Sequence, residues 1–177
     1  DAAGVNAMMD LVAAEASASG GVAVERLPGR DGFGDSVILR AGPAKEVGSI
    51  LVLSHLDTVH PLGTLARDLP LRREGDRLYG PGIYDMKGGA YLAFRAFLSA
   101  ARSGAASRPL VMLFTPDEEI GSPTTRRVIE DLGREAAYAL VTEPARDGGR
   151  CVTARKGVGR FEMEIEGRPS HSGSRHP

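Results

Sequence analysis

Imidazole and carboxyl side chains follow three apolar runs of this sequence, at the point where each run ends. In chain order these residues are His55 and Asp57, then Asp117, Glu118 and Glu119, and then Glu143. Another carboxyl group, Asp85, lies in the glycine-rich stretch 80–89. Imidazole nitrogens and carboxylate oxygens are ligands for zinc and similar divalent cations. These residue types therefore indicate a metal site.

Each of these pieces also has a simpler interpretation when taken alone. A single His after a strand is more often a satisfied polar residue than a ligand, and a Glu-Glu pair is usually solvated. A glycine-rich loop before a helix often holds a phosphate, but neither GxxxxGK[ST] nor GxGxxG follows a strand here, and HExxH is absent. Unpaired carboxylates packed together need a cation. The joint occurrence of the His and the carboxylates after three apolar runs therefore favours the metal site.

The elements that must position these residues are strands alternating with helices. Continuous apolar runs at 50–53, 110–114 and 138–141 predict strands buried on both faces. Further strands are predicted at 22–27 and 36–40, and helices at the opening segment up to Gly20, at 89–102 and from Ser122-Pro123 onward. This order predicts an α/β fold, a largely parallel sheet with helices on both faces. In such sheets ligands bind outside the carboxyl ends of the strands, so the site residues are expected to converge.

The pattern changes after Thr153. Phe161, Met163 and Ile165 alternate with glutamates, which predicts a half-exposed strand of a second, antiparallel element. The predicted division is a metal-binding domain at 1–157 and the start of an α+β domain at 158–177.

Composition and charge are those of an ordinary soluble protein, with 42% hydrophobic and 25% charged residues. A net charge of -1 favours neither nucleic acid nor an anionic membrane as a partner, and no apolar run approaches the ~20 residues of a membrane span. Since the sequence opens at Asp1 without Met and closes at Pro177 just after a strand pattern, we expect a fragment. A cytoplasmic location is expected, with periplasmic or secreted as alternatives because a signal peptide would be hidden.

Four stretches of the chain resemble one enzyme family, the dinuclear-zinc metallopeptidases that include glutamate carboxypeptidase, acetylornithine deacetylase, succinyl-diaminopimelate desuccinylase and the aminoacylases. The matching stretches are SHLDTV at 54–59, GPGIYDMKGG at 80–89, DEEIGS at 117–122 and TEP at 142–144. Their order and spacing agree across nearly the whole chain. The linking segment 63–76 is most similar to the glutamate carboxypeptidase branch.

The resemblance implies a role for each site residue. His55 and Glu143 would bind one zinc, Glu119 the second, and Asp85 would bridge both. A complete active site would hold two zinc ions, with cobalt or manganese as substitutes. The resemblance also implies that Asp57 orients the imidazole of His55. Glu118 would be the general base for attack of a metal-bridging hydroxide on an amide.

The resemblance further implies that His171, in the motif 167–173, stabilises the oxyanion at the start of a lid domain through which the protein forms a homodimer. The implied activity is release of a C-terminal amino acid from a small peptide or N-acyl conjugate. An N-acyl amino acid deacylase is the close alternative, and a non-catalytic metal-binding or interaction module is the alternative of another class. The family's distal His and substrate clamps are not matched within 1–177, so we expect this fragment alone to bind at most one zinc tightly and to be inactive.

Overall fold

The computed structural model describes residues 1–44, 47–159, 161–167 and 173. The chain divides into two compact units, Asp1–Pro144 and Ala145–Pro177. The first unit holds all the regular elements found in the described residues. Its helices are α1 (Ala2–Ser19), α2 (Thr64–Arg67), α3 (Gly88–Ser103) and α4 (Arg126–Glu135). Its strands are β1 (Ala23–Leu27), β2 (Ser36–Ala41), β3 (Ser49–His55), β4 (Arg72–Glu74), β5 (Arg77–Tyr79), β6 (Leu110–Thr115) and β7 (Ala136–Val141).

Five strands form the central sheet in the order β1-β2-β6-β3-β7, and β4 and β5 form a separate hairpin. The strands β6, β3 and β7, which precede the predicted site residues, are parallel to one another. β1 and β2 extend the sheet in antiparallel pairings. The α/β fold with a mainly parallel sheet is thus confirmed. None of the helices in the described part of the chain is long and apolar enough to cross a bilayer.

Helices cover both faces of the sheet, as predicted. One core joins α1 and α3 to the sheet, and within it the rings of Phe94 and Phe114 meet edge to face with centroids 5.9 Å apart. A smaller core lies on the other face, where Leu132 of α4 packs with Ile38 and Leu113. Every residue of β6 is buried because this strand is central and covered on both sides. Packing on both faces of the sheet therefore fixes the positions of the carboxyl ends of the inner strands.

Two predictions about the elements flanking α4 are wrong in detail. The helix begins at Arg126, not at Ser122-Pro123, because Ser122 has a φ of 55° and cannot cap a helix there. Strand β7 is present but not buried, with exposed fractions of 60% for Tyr138 and 53% for Leu140. The reason is its place at the edge of the sheet, where β3 is its single neighbour among the described strands.

The second unit, in its described residues, contains an isolated bridge between Arg146 and Arg150 but no helix or strand. The strand predicted from Phe161, Met163 and Ile165 is wrong, since all three side chains are at least 81% exposed and the segment is irregular. Alternation alone does not make a strand, because a strand needs a hydrogen-bonded neighbour, and among the described residues no strand pairs with 161–167. The domain boundary at 157 stays a prediction.

Candidate metal centre

The candidate site lies at the carboxyl edge of the three parallel strands. His55 is the last residue of β3 and lies beside Thr115, the last residue of β6. Glu118 and Glu119 follow β6 in a short 3-10 turn, and Glu143 follows β7 after one intervening residue. Because the strands are parallel, these ends meet at one edge of the sheet.

His55 is the centre of the site. Its side chain is 1% exposed, and its Nε2 lies 3.2 Å from Asp85 Oδ1 and 3.4 Å from Glu143 Oε1. Glu118 Oε2 is 3.8 Å from the same nitrogen. Burial opposes protonation of His55, but the carboxylates of Asp57, Glu118 and Glu143 outweigh it and raise its pKa to about 9. The carboxylates around His55 therefore attract a positive charge to this position, whether it is a proton or a metal ion.

Asp57 holds two parts of the site at once. One carboxylate oxygen lies 3.4 Å from Nδ1 of His55, on the side opposite the other carboxylates. The same carboxylate accepts hydrogen bonds from the backbone amides of Glu118, at 3.2 Å, and Glu119, at 3.0 Å. Burial favours the protonated form, but the imidazole and the two amides outweigh it and lower the pKa of Asp57. Asp57 therefore positions both the imidazole ring and the turn that carries the glutamates.

Asp85 lies in an irregular turn, Ile83–Lys87, that leads into α3. Two glycines allow this turn to lie close to the strand ends. A Cβ on Gly82, whose φ is 69°, would lie 2.3 Å from the methyl group of Thr58. A Cβ on Gly89 would lie 2.0 Å from the carbonyl oxygen of Thr142, next to Glu143. The glycine-rich sequence therefore allows close packing against the residues that follow β3 and β7, and Asp85 lies beside His55.

Two contacts at the site were not predicted from the sequence. The backbone N–H of His55 donates to the buried Met86 Sδ at 3.3 Å, which ties the Asp85 turn to the end of β3. The hydroxyls of Ser54 and Thr142 lie 2.7 Å apart and join the ends of β3 and β7. Met86 and Thr142 both stand inside the matched motifs, and their position there was the available signal. Nothing in their residue types indicated which partners they would contact.

The carboxylates of the site are crowded and poorly compensated. Burial and then the charge of Asp85 raise the pKa of both Glu119 and Glu143. Lys87 is half-buried nearby, and burial lowers its pKa against the attraction of Asp57. Within the described part of the chain, His55 is the only cationic side chain at ion-pair distance from Asp85, Glu118 or Glu143.

This donor set fits a divalent metal. Ligand atoms that share one zinc at ~2.0–2.1 Å lie about 3.3 Å apart in a tetrahedron. The distances from His55 Nε2 to Asp85 and Glu143, 3.2 and 3.4 Å, have this size. Two groups have ligand atoms that all lie within 4.8 Å of one another: His55, Asp85 and Glu119, and His55, Glu118 and Glu143. The residues present can therefore hold a metal ion without a large rearrangement.

The structure brings together all six of the predicted site residues that it describes, but it does not divide their roles. Glu118, predicted as the base, has its Oε2 3.8 Å from His55 Nε2, and the second group of possible ligands contains it. The division of roles between Glu118 as the base and Glu119 as a ligand stays a prediction. His171, predicted as the oxyanion residue, lies outside the described residues.

Comparisons with known proteins agree with the motif resemblance. The profile of peptidase family M20/M25/M40 matches residues 51–174. Carboxypeptidase G2 of Pseudomonas sp. (strain RS-16) is 34% identical over 145 residues, which cover 80% of this chain and 34% of that protein. Acetylornithine deacetylase of Myxococcus xanthus is 33% identical and covers 77% of this chain and 34% of that protein. The chain thus spans about a third of the length of the curated relatives it matches.

Solved structures share the fold at low sequence identity. An M20 family metallo-carboxypeptidase from Sulfolobus solfataricus has a TM-score of 0.63 at 18% identity, covering 83% of this chain and 34% of that one. Human carnosine dipeptidase 1 has a TM-score of 0.62 at 18% identity, covering 80% of this chain and 33% of that one. The arrangement of strands and helices is therefore one that solved peptidases also have.

Proposed function

This chain belongs to peptidase family M20/M25/M40, and on that premise we propose that the whole protein is a zinc-dependent hydrolase of amide bonds. The proposed reaction releases a C-terminal amino acid from a small peptide or an N-acyl conjugate. One observation carries the proposal: a buried imidazole with three carboxylates within 3.8 Å of its Nε2 at the carboxyl edge of a parallel sheet.

We assign the metal ligands as the motif resemblance implies. His55 and Glu143 would hold one ion and Glu119 the other, and Asp85 would be a ligand shared by both. The contacts of His55 with Asp85 and Glu143 support the first assignment. For the second, Asp85 and Glu119 have ligand atoms within 4.8 Å of each other, in a group that also contains His55. When bound, zinc would polarise the scissile carbonyl and lower the pKa of a water molecule toward ~7.

Glu118 moves the proton. Its side chain is half exposed and its Oε2 lies 3.8 Å from Nε2 of His55, so this carboxyl borders both the metal ligands and the solvent. In the proposed reaction Glu118 takes one proton from that water as the water oxygen bonds to the carbonyl carbon. The same carboxyl then returns the proton to the amide nitrogen as the C–N bond breaks. A carboxylic acid and a free amine are the products, and no covalent enzyme intermediate is needed.

Asp57 positions His55, Glu118 and Glu119 relative to one another. It lies against Nδ1 of His55, so that the opposite nitrogen, Nε2, faces the ligand carboxylates. Its bonds to the amides of Glu118 and Glu119 fix the base and a ligand relative to that imidazole. A carboxylate behind a metal-binding His raises the basicity of the ring and sets its orientation.

The names of the relatives support an amide of an amino acid as substrate. Carboxypeptidase G2 and acetylornithine deacetylase both match this chain over most of its length. We propose carboxypeptidase-type release of an amino acid as the main activity, with N-acyl amino acid deacylation as the second candidate. A screen of dipeptides against N-acetyl and N-succinyl amino acids, with purified full-length protein, separates the two.

The test of this mechanism is Glu118→Gln in the full-length protein. The amide side chain keeps the shape but cannot accept the proton, so kcat should fall by roughly 10²–10⁴-fold. Bound zinc, measured by elemental analysis, should stay at the wild-type value. Glu130→Gln on α4 is the matched control and should leave both quantities unchanged.

Two other outcomes would contradict the assignment. If Glu118→Gln lost zinc together with activity, Glu118 would be a ligand and not the base. If the wild-type protein bound zinc but hydrolysed no amide in the screen, the non-catalytic module would replace the enzyme. The roles of His171 and of a homodimer stay predictions for the full-length protein.

A further inference from the structure

The loop between β6 and α4 carries Glu118 and Glu119, and a buried carboxylate lies at its base. Asp117, the residue before Glu118, has 0% of its surface exposed. It stands in the DEEIGS stretch, but its side chain has no part in the metal groups formed by the described residues. A buried carboxylate requires hydrogen-bond donors or a cation, so its partners decide what it does.

The hydrogen-bond partners of the Asp117 side chain are Thr124 and Thr125, the two residues directly before α4. Oδ2 accepts from the backbone N–H of Thr124 at 2.7 Å, from its hydroxyl at 2.7 Å, and from the N–H of Thr125 at 3.2 Å. Oδ1 accepts from the hydroxyl of Thr125 at 2.5 Å. No cationic side chain in the described ranges pairs with this carboxylate. Its charge is instead met by two amides and two hydroxyls beside the positive end of the ten-residue α4.

These bonds close the loop into a short ring. The Asp117 side chain joins the chain eight residues later, at Thr125, and the Asp117 carbonyl accepts from the N–H of Ser122 at 2.8 Å. Inside the ring, Gly121 and Ser122 have φ values of 92° and 55°, so the backbone turns sharply there. The ring fixes the path of the backbone on both sides of the two glutamates.

A second carboxylate, that of Asp57, binds the same loop at the backbone amides of the two glutamates. Asp57 accepts from the amides of Glu118 and Glu119, as described above. The two aspartates have different surroundings, since Asp57 contacts His55 and Asp117 contacts α4. The turn that carries the base and a ligand is therefore anchored on one side to the imidazole and on the other to a helix.

We infer that Asp117 is a positioning residue for Glu118 and Glu119, fixing their turn through its hydrogen bonds to Thr124 and Thr125. The inference rests on the proposed function for its effect on turnover, but the anchoring itself is a property of the metal-free chain. Displacement of a catalytic group by ~1 Å can lower turnover by ~10²-fold. Loss of this anchor should therefore lower turnover although Asp117 is buried and belongs to neither group of possible metal ligands in the described residues.

The experiment compares Asp117→Ala with Asp117→Asn in the full-length protein. Asn can keep an oxygen at the position of Oδ2 for both amides, while its NH₂ group donates to the hydroxyl of Thr125 after that hydroxyl turns. Asp117→Ala removes every acceptor. We expect Asp117→Ala to lower kcat by about 10²-fold with KM within about threefold, and Asp117→Asn to restore kcat to within about threefold of wild type.

Amide hydrogen exchange of the metal-free protein supplies a readout that needs no activity. Asp117→Ala should speed exchange at the amides of Glu118 and Glu119, and Asp117→Asn should return it toward wild type. The amides of β1 and β2 are the internal control and should not change. If Asp117→Ala fails to fold, the double variant T124V/T125V removes both hydroxyl donors, keeps both amides, and should shift exchange in the same direction by less.

The outcomes separate this inference from the proposed function. A melting temperature that falls while kcat and exchange at Glu118 and Glu119 stay at wild-type values would overturn the inference. Failure of Asp117→Asn to restore either quantity would also overturn it. A wild-type protein without hydrolytic activity would defeat the proposed function, and the exchange data would still decide whether Asp117 anchors the turn.

Discussion

Acidic side chains occur in two contrasting settings in this molecule, on α4 and at the carboxyl edge of the sheet. On α4, Glu130 and Asp131 pair with the arginines at positions 126, 127 and 134. At the sheet edge, in the described part of the chain, no arginine reaches Asp85, Glu118, Glu119 or Glu143, and His55 stands alone among them. Identical chemical groups are thus neutralised by the chain in one region and left uncompensated in the other.

The difference distinguishes the candidate metal site at the sheet edge from an ordinary charged surface. Exposed pairs such as those on α4 contribute little to stability, and they lower the pKa of Glu130 through Arg126 and Arg134. Burial and neighbouring carboxylates raise the pKa of Glu119 and Glu143 instead. A cluster of carboxylates without neighbouring arginines favours the binding of a cation from solution.

The largest effect expected to sharpen this comparison comes from Asp57→Asn. The Asn side chain lacks the negative charge beside His55 and accepts more weakly from the amides of Glu118 and Glu119. Zinc affinity should therefore fall by roughly 10–100-fold. Competition with a chelator of known affinity measures the change. Asp131→Asn on α4 is the matched control and should leave zinc affinity unchanged. Equal zinc affinities for Asp57→Asn and wild type would break the comparison.

A smaller effect is expected from Gly89→Ala at the start of α3. The added methyl would lie 2.0 Å from the carbonyl oxygen of Thr142, so backbone must move, and about 1–3 kcal/mol of unfolding free energy should be lost. Gly133→Ala in α4 meets nothing within 4 Å and should gain about 0.5–1 kcal/mol from helix propensity. Urea unfolding measures both. Opposite signs are expected, and a neutral or stabilising Gly89→Ala would show that the site edge is loosely packed.

The sequence was sufficient for the parts of the fold that local pattern controls. The apolar runs before His55 and Glu118 are strands as predicted, and α3 follows its helical spacing. Convergence of the site residues followed from a general property of parallel sheets, since their carboxyl ends share an edge. The family resemblance predicted from four motifs is confirmed by the profile match.

Features that depend on tertiary neighbours were missed. An apolar run reads the same in a central and an edge strand, so the exposure of Tyr138 in β7 was not visible in its pattern. The late start of α4 goes with the positive φ of Ser122, which the Ser-Pro pair did not indicate. Likewise, the bond from the His55 amide to Met86 joins residues 31 apart, a distance over which no periodicity carries information.

The central claim is that His55 and the surrounding carboxylates hold divalent metal because, in the described part of the chain, no Arg or Lys side chain pairs with those carboxylates. Calorimetric titration of zinc into metal-free full-length protein, with elemental analysis of the product, tests it most directly when wild type is compared with Asp85→Asn. We predict two zinc ions per wild-type chain and a loss of at least one in Asp85→Asn. Zinc binding that is absent in wild type, or identical in the two proteins, would contradict the account.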